Sequence, residues 1–558
     1  MKAKIEPIRI KHAIRRSCIS IAFIVGVIFL INISPNYVKE QRAAGINLII
    51  NNNNVTKNLK NSIYEKDGEY YLSTDDFKNF FDEFLIEDTD NIITTSNTKT
   101  VKISRFREAM TVNGSNVNVE FKPFSENEKT YLSIKEMASV YNFEYDANKD
   151  KEVVIISPLN KKLVQGIVSK KIAVKLKATP FSRTLEKVDK GEKVTLIQDT
   201  VKNENIKVGN YVKVRTSTGT MGYVKESNLS EVNQVRDDFN LDKIDGKVSI
   251  VWDYYTQYTA APKRSDKIEG VNVVSPSYFE LREDSTIIKN VDNNYTNWAH
   301  NNGYKVWPTL SNSFLNNLDA VSKMMETFDT RAKLIDNIVN AVVDSNVDGV
   351  NVDFENMYKQ DKDKFSRFII ELRPRLKDYG KTLSVIVTEP DGSDTWSLCY
   401  DRHTLGRVAD YLVFMGYDQH NASSKVAGSV ASYDWVELNI NKFLGQEGVD
   451  ANKLVLSMPF YTRLWSEKDG QVTSKVVNMK DVKIPENVTP KWDENARQNY
   501  YEYQRDGITY KMWIEDEKSI SEKLELVKKY NLSGAGFWEK DRETSGVWNI
   551  VKEKLEIK

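Results

Sequence analysis

The stretch Asp348-Gly349-Val350-Asn351-Val352-Asp353-Phe354-Glu355 limits what this chain can fold into more than any other. Side chains alternate along a strand, so Val350, Val352 and Phe354 fall on one face and Asn351, Asp353 and Glu355 on the other. A polar face that carries two carboxyl groups is costly in an interior unless those groups are paired or used in chemistry. The apolar face needs a cover of helices, as around a strand of an α/β barrel. Two carboxyls one strand step apart couple their proton affinities, which is what acid catalysis at neutral pH requires.

The surrounding sequence supplies the matching elements. From residue 246 to 558, short apolar runs alternate with helical patterns, the signature of parallel strands joined by crossover helices. Eight strands are predicted: Val248–Trp252, Val271–Ser275, Lys305–Thr309, the acid stretch itself, Leu383–Val387, Tyr411–Met415, Leu454–Met458 and Gly534–Trp538. Leu334, Ile335, Ile338, Val339 and Val342 form an apolar helical stripe before the acid strand. Phe365, Phe368, Ile369, Leu372 and Leu376 form another after it, with Gly380 as the expected stop. The expectation is a (β/α)₈ TIM barrel with loop insertions and an active site at the C-terminal strand ends, where Glu355 falls.

Other strand ends carry chemistry too: Met415-Gly416-Tyr417-Asp418, Pro459-Phe460-Tyr461-Thr462-Arg463 and Trp538. Together with the acid stretch they resemble glycoside hydrolase family 18, whose signature reads Asp-x-x-Asp-x-Asp-x-Glu. Here the four positions are Asp348, Asn351, Asp353 and Glu355, so Asn replaces the second Asp. That variant is similar to the bacterial spore-cortex and cell-wall branch of the family. So is Pro-Phe-Tyr-Thr-Arg, apart from Thr462 where that branch has Gly. The resemblance implies retaining hydrolysis beside an N-acetylated sugar, with the substrate's acetamido oxygen as nucleophile. It implies Glu355 as proton donor, Asp353 as partner of the acetamido N–H, and Tyr417 as donor to the acetamido carbonyl. Trp538 would form the floor under the sugar ring, with Asp348, Asn351, Asp418 and Arg463 as substrate-binding residues. Asn351 is expected to donate a hydrogen bond to Asp353 and keep it ionised.

Composition narrows the alternatives. Lys+Arg and Asp+Glu both number 79 in 558 residues, which removes any global case for nucleic acid. Cys18 and Cys399 make no disulfide framework, and His12, His300, His403 and His420 have no zinc spacing, so neither metal nor cofactor is expected.

The N-terminal half reads as four pieces. Residues 1–17 are basic and expected in the cytoplasm by the positive-inside rule. Residues 18–34 are an apolar membrane anchor or, alternatively, a cleaved signal segment. Residues 46–160 are an α+β module with an internal echo, Tyr71-Leu72-Ser73 and Tyr131-Leu132-Ser133, each ending in a helix cap. With the turn Val112-Asn113-Gly114, this module resembles the copper-amine-oxidase N-terminal-like domain, without copper ligands. Residues 167–230 end in Gly219-Thr220-Met221-Gly222-Tyr223-Val224 and resemble a bacterial SH3-like barrel. They carry 13 Lys+Arg against 6 Asp+Glu, a balance of +7 that suits an anionic wall or membrane surface.

The expected protein is therefore an exported, membrane-tethered glycosidase with its catalytic domain outside the cell. It would act as a monomer on cell-wall polysaccharide, cleaving peptidoglycan after N-acetylglucosamine. The alternatives are a chitinase or chito-oligosaccharide hydrolase, a non-catalytic glycan-binding barrel, and an envelope assembly factor with a vestigial site.

Overall fold

The computed structural model describes residues 43–199, 201–202, 204–236, 244–313, 315 and 317–557. The predicted anchor at 18–34 and the basic tail before it lie outside the described residues. Among the described residues, no helix is long and apolar enough to cross a membrane. The chain divides into two compact units, the second of which takes Thr95–Val101 and Thr111–Asn116 together with the C-terminal part of the chain.

In the first unit, the strand Asn47–Ile50 pairs in parallel with Val153–Pro158, Leu48 opposite Val154, so the two ends of the N-terminal module lie side by side. The internal echo is a structural repeat. Glu69–Ser73 and Lys129–Ser133 pair antiparallel with Leu72 opposite Leu132, and each strand runs straight into a helix. Ser73 accepts from the Asp76 N–H and Ser133 from the Glu136 N–H, the two predicted caps. In the part of the module that belongs to the second unit, the Asn113-Gly114 turn has φ of 50° and 83°, the left-handed pair that a tight hairpin demands.

Residues 163–236 form a further β-structure of eight strands in one sheet, beginning at Leu163, four residues ahead of the predicted boundary. Its core is almost wholly valine and leucine, with Val164, Val194, Leu196, Val212, Val214 and Val224 buried. Gly222 is required there, because a Cβ would come within 2.6 Å of the Lys175 carbonyl oxygen.

The second unit contains the barrel. Its strands are β1 (Val248–Asp253), β2 (Val273–Pro276), β3 (Lys305–Val306 and Thr309–Ser311), β4 (Gly349–Asp353), β5 (Thr382–Val387), β6 (Tyr411–Met415), β7 (Leu454–Pro459) and β8 (Gly534–Trp538). Each pairs in parallel with the next, and β8 pairs with both β7 and β1, which closes the ring. Strand β3 breaks at Trp307-Pro308, where proline has no N–H to give the ladder.

Helix α1 (Asn293–Asn301) follows β2, α2 (Leu318–Met324) and α3 (Phe328–Asp344) follow β3, and α4 (Lys362–Asp378) follows β4. After them come α5 (Arg402–Val408), α6 (Tyr433–Asn441), α7 (Glu517–Lys529) and α8 (Val547–Leu555). Both predicted helical stripes are buried, and the helix α4 ends just before Gly380. The outer core wraps β4: Val350, Val352 and Phe354 are fully buried, and Phe354 stacks on Phe368 at 5.8 Å.

Two features depart from the expected eight uniform βα units. The connection from β1 to β2 has no helix; it is a polar, Pro-containing run of Tyr254–Asn272. Between β7 and α7 the chain builds a five-stranded antiparallel sheet from Tyr461–Lys468, Gln471–Asn478, Lys491–Asp493, Gln498–Arg505 and Ile508–Ile514. It has its own small core around Tyr501, Met512 and Ile514.

Candidate active site

The C-terminal end of β4 delivers Asp353 and Glu355 to one side of the barrel mouth, and their carboxyl groups hydrogen-bond each other. Glu355 lies just past the strand, and its backbone is fixed from β3. Its N–H donates to Asn312 Oδ1 and its carbonyl accepts from Asn312 Nδ2, both at 2.9 Å. The Tyr400 hydroxyl donates to the preceding carbonyl, that of Phe354, at 2.7 Å. Asn312 and Tyr400 were not singled out from the sequence, because a lone Asn or Tyr far along the chain carries no spacing signal.

Both carboxyls hold their protons more tightly than an exposed acid does. Burial pushes Asp353 up, and its hydrogen bond with Glu355 only partly opposes that. Glu355 is raised well above the usual carboxylate range by burial, then by the negative charge of Asp353 and of Asp418. Two coupled carboxyls in a desolvated site hold one proton between them. Glu355 is the one that keeps it, since both neighbouring charges push in the same direction.

Tyr417 and Asp418, at the end of β6, close the other side. The Tyr417 hydroxyl is raised well above its ordinary value by burial and by the charges of Asp353, Glu355 and Asp418, so it remains a donor. Asp418 takes a left-handed backbone conformation, φ 60°, and its Oδ1 accepts from the Tyr461 hydroxyl at 2.7 Å. Burial raises Asp418 as well, against the opposing effects of Tyr461 and the Arg463 charge. Arg463 donates through Nη1 to Ser474 at 3.1 Å, and its Nε is buried without a partner among the described residues. Trp538 ends β8, its ring 6.3 Å from Trp252 and 5.8 Å from Tyr254, which is 51% exposed. Two further side chains lie in this region: Trp396 packs on the inner barrel core, and Glu389, past the end of β5, is raised by burial and feels Asp418.

Two sequence expectations are corrected. Asp348 is at the N-terminal end of β4, the opposite end from Glu355, and is not a substrate contact. Its carboxylate is engaged there by the Val306 N–H at 2.9 Å, His300 Nε2 at 2.9 Å and Lys305 Nζ at 3.2 Å. Burial would raise it, but those partners outweigh burial and hold it below the usual range. Asn351 does not serve Asp353. Its amide donates across the barrel interior to Ser275 Oγ at 3.1 Å, in a polar layer where Ser275 in turn meets Thr309 at 3.0 Å. Asp353 Oδ1 is therefore buried with no hydrogen-bond partner among the described residues. Asp353 shares its hydrogen bond with Glu355 instead.

Among the described residues, no group of His, Cys, Asp and Glu side chains is arranged to hold a metal ion.

Comparison with known proteins bears on the same region. The sequence model of glycosyl hydrolases family 18 matches residues 250–543. The uncharacterized glycosylase YvbX of Bacillus subtilis (strain 168) is 24% identical over 294 residues, 51% of this chain and 84% of the relative. The cortical fragment-lytic enzyme of Bacillus anthracis is 21% identical over 248 residues, 43% of this chain and 57% of the relative. The di-N-acetylchitobiase of Homo sapiens is 23% identical over 267 residues, 40% of this chain and 69% of the relative.

Proposed function

The chain belongs to glycosyl hydrolases family 18 and is a glycoside hydrolase; from that premise we propose that it cleaves β-1,4 bonds after N-acetylglucosamine in cell-wall peptidoglycan. Glu355 is the proton donor, and the acetamido group of the substrate is the nucleophile. The observation that carries this reading is the contact between the Asp353 and Glu355 carboxyls. A glycosidase that uses its own nucleophile holds two carboxyls about 5–5.5 Å apart across the sugar, and an inverting one about 6.5–9.5 Å apart. Acids in hydrogen-bond contact lie on the same side of the anomeric carbon, so neither can attack while the other protonates.

The steps follow from that placement. The acetamido carbonyl oxygen attacks the anomeric carbon while Glu355 gives its proton to the leaving glycosidic oxygen, and the bond to the leaving sugar breaks. Asp353 accepts the acetamido N–H on the Oδ1 that no protein donor occupies, and its charge steadies the oxazolinium-like intermediate. The Tyr417 hydroxyl fixes the direction of attack by donating to the acetamido oxygen. Water then attacks the anomeric carbon from the side the leaving sugar vacated. Glu355 takes its proton, the bond to the acetamido oxygen opens, and the product keeps the β configuration. Trp538 supplies the apolar floor, and Asp418 and Arg463 contact sugar hydroxyls or a lactyl or peptide carboxylate.

The choice of wall glycan over chitin rests on Asn351 in place of the family's second Asp, and on the similarity to the cortical fragment-lytic enzyme. The apolar segment 18–34 would tether the enzyme with its barrel outside the cell. The SH3-like and amine-oxidase-like modules would hold it near the wall. The test is digestion of purified peptidoglycan and of N-acetylglucosamine oligomers by the full chain and its Glu355→Gln variant, with new reducing ends identified by mass spectrometry. Reducing-end N-acetylglucosamine from peptidoglycan, absent with the variant, is the expected result. Cleavage of the oligomers alone would replace this reading with a chito-oligosaccharide hydrolase, in keeping with the similarity to di-N-acetylchitobiase. Binding without cleavage of either would leave a glycan-binding barrel.

A further inference from the structure

The first unit holds a cavity of about 520 Å³, bounded by the Asn47–Ile50 and Asn53–Asn54 strands and by the paired strands Tyr211–Arg215 and Met221–Lys225. Lys213 stands opposite Tyr223 and Arg215 opposite Met221, so these four side chains share one face of that pair. Lys213, Met221, Tyr223, Asn52 and Asn53 line the cavity. Arg215 does not line it; it is 7% exposed and lies behind one lining residue, donating through Nε to Asn52 Oδ1 at 2.7 Å.

The charge balance there is unusual. A buried guanidinium is ordinarily matched by a carboxylate, because an unpaired charge in an interior is expensive. The side-chain partners of Arg215 are the neutral groups Asn52 and Thr195, and Asp146 reaches it only through its field. Burial accordingly pushes Arg215 down to about 10. Lys213, one strand step away on the same face, has no ion pair among the described residues. Lys213 thus faces a concave site, with Arg215 behind Asn52, whose other walls are side-chain amides, one aromatic ring and the apolar side chains of Ile49, Val153, Leu176 and Met221.

We propose that this cavity is a binding site for a carboxylate-bearing, N-acylated wall fragment such as a muramyl peptide. The carboxylate would be taken by Lys213, with the Arg215 charge behind Asn52 adding its field, the acyl amide by Asn52 and Asn53, and the sugar or peptide carbon skeleton by Tyr223. A site of this kind in the first unit gives the enzyme a second hold on its substrate that does not use the barrel. It rests on the wall reading for the identity of the ligand as well as for the choice of probe.

The experiment is calorimetric titration of the full chain with N-acetylmuramyl-L-alanyl-D-isoglutamine, with chitobiose as the same class of sugar without a carboxylate, and with inorganic phosphate as a bare anion. Reversing one charge in the site with Lys213→Glu should weaken the muramyl dipeptide at least about tenfold, the loss of one charge-assisted hydrogen bond. Cleavage of N-acetylglucosamine oligomers should be unchanged. If Lys213→Glu melts early, Lys213→Gln carries the same expectation with less disturbance. No binding of the dipeptide, equal binding by wild type and both variants, or phosphate binding as tightly as the dipeptide would each overturn the proposal. The Glu355→Gln digestion succeeds or fails independently of these titrations, so the two readings are separable.

Discussion

The burial and charge around Glu355 have consequences measurable on stability as well as on rate. In the unfolded chain a glutamate gives up its proton near 4.5, whereas in the fold burial and Asp353 keep it on to higher pH. Folding therefore takes up a proton in the window between, and the stability of the wild type falls as pH rises through it. Glutamine at this position has no proton to lose. Glu355→Gln should abolish hydrolysis yet melt at a higher temperature than the wild type around pH 8, with the difference shrinking toward pH 4. Thermal melts across pH check this; a variant less stable than wild type at alkaline pH would show that the Glu355 charge is better solvated than its burial implies. Asp418 belongs to the same balance. Its charge helps Glu355 keep its proton, so Asp418→Asn should move the alkaline limb of the rate profile to lower pH by up to about one unit. That Asp353 and Glu355 meet was legible because alternation puts them on one face. The same alternation did not give the hydrogen-bond partner of Asn351, which comes from Ser275 on another strand, nor the strand end that Asp348 occupies.

At the scale of elements, the strands and stripes around β4 could be read from periodicity alone, because Val350, Val352 and the facing rows of α3 and α4 follow the spacings of a buried strand and an amphipathic helix. What holds these helices in register was less visible. Arg331 of α3 forms two 2.8 Å bonds to Glu371 of α4, a fully buried pair joined by Arg367. The sheet between β7 and α7 had local signals, Asp469-Gly470 and Asp506-Gly507 within alternating runs, both with φ above 0. Hairpin signals do not state which strands join which, so the run read as a loop insertion. That sheet leads into α7 through another buried ion pair: Lys523 Nζ lies 2.7 and 2.9 Å from the Glu515 carboxylate, whose other partners are Ser519 and Gln498. Lys523→Met removes the cation paired with Glu515 and leaves that carboxylate buried, so it should destabilise the protein by about 3–5 kcal/mol. Denaturant titration measures it, and adding Glu515→Leu to Lys523→Met should restore much of the loss. A single variant within about 0.5 kcal/mol of wild type would mean that the pair contributes nothing.

For the whole molecule, the strand-helix echo and the valine-rich run were open to sequence reasoning because each has its own periodicity. The Tyr-Leu-Ser echo is a pair of adjacent strands with two capped helices, and the valine-rich run from Leu163 is a separate β-core. The cavity beside Arg215 was not legible, since Asn52 and Arg215 are 163 residues apart. The barrel brings together groups from β3, β4, β6 and β8 in the same way, and the account of catalysis depends on their common side. The most direct test is the configuration of the first-formed product, read by proton NMR within the first turnovers on an N-acetylglucosamine oligomer, before mutarotation. Paired carboxyls on one side with an acetamido nucleophile predict the β anomer at the new reducing end. An initial α anomer would contradict the account, because it requires water attacking from the opposite face, activated by a carboxylate that the contact between Asp353 and Glu355 does not provide.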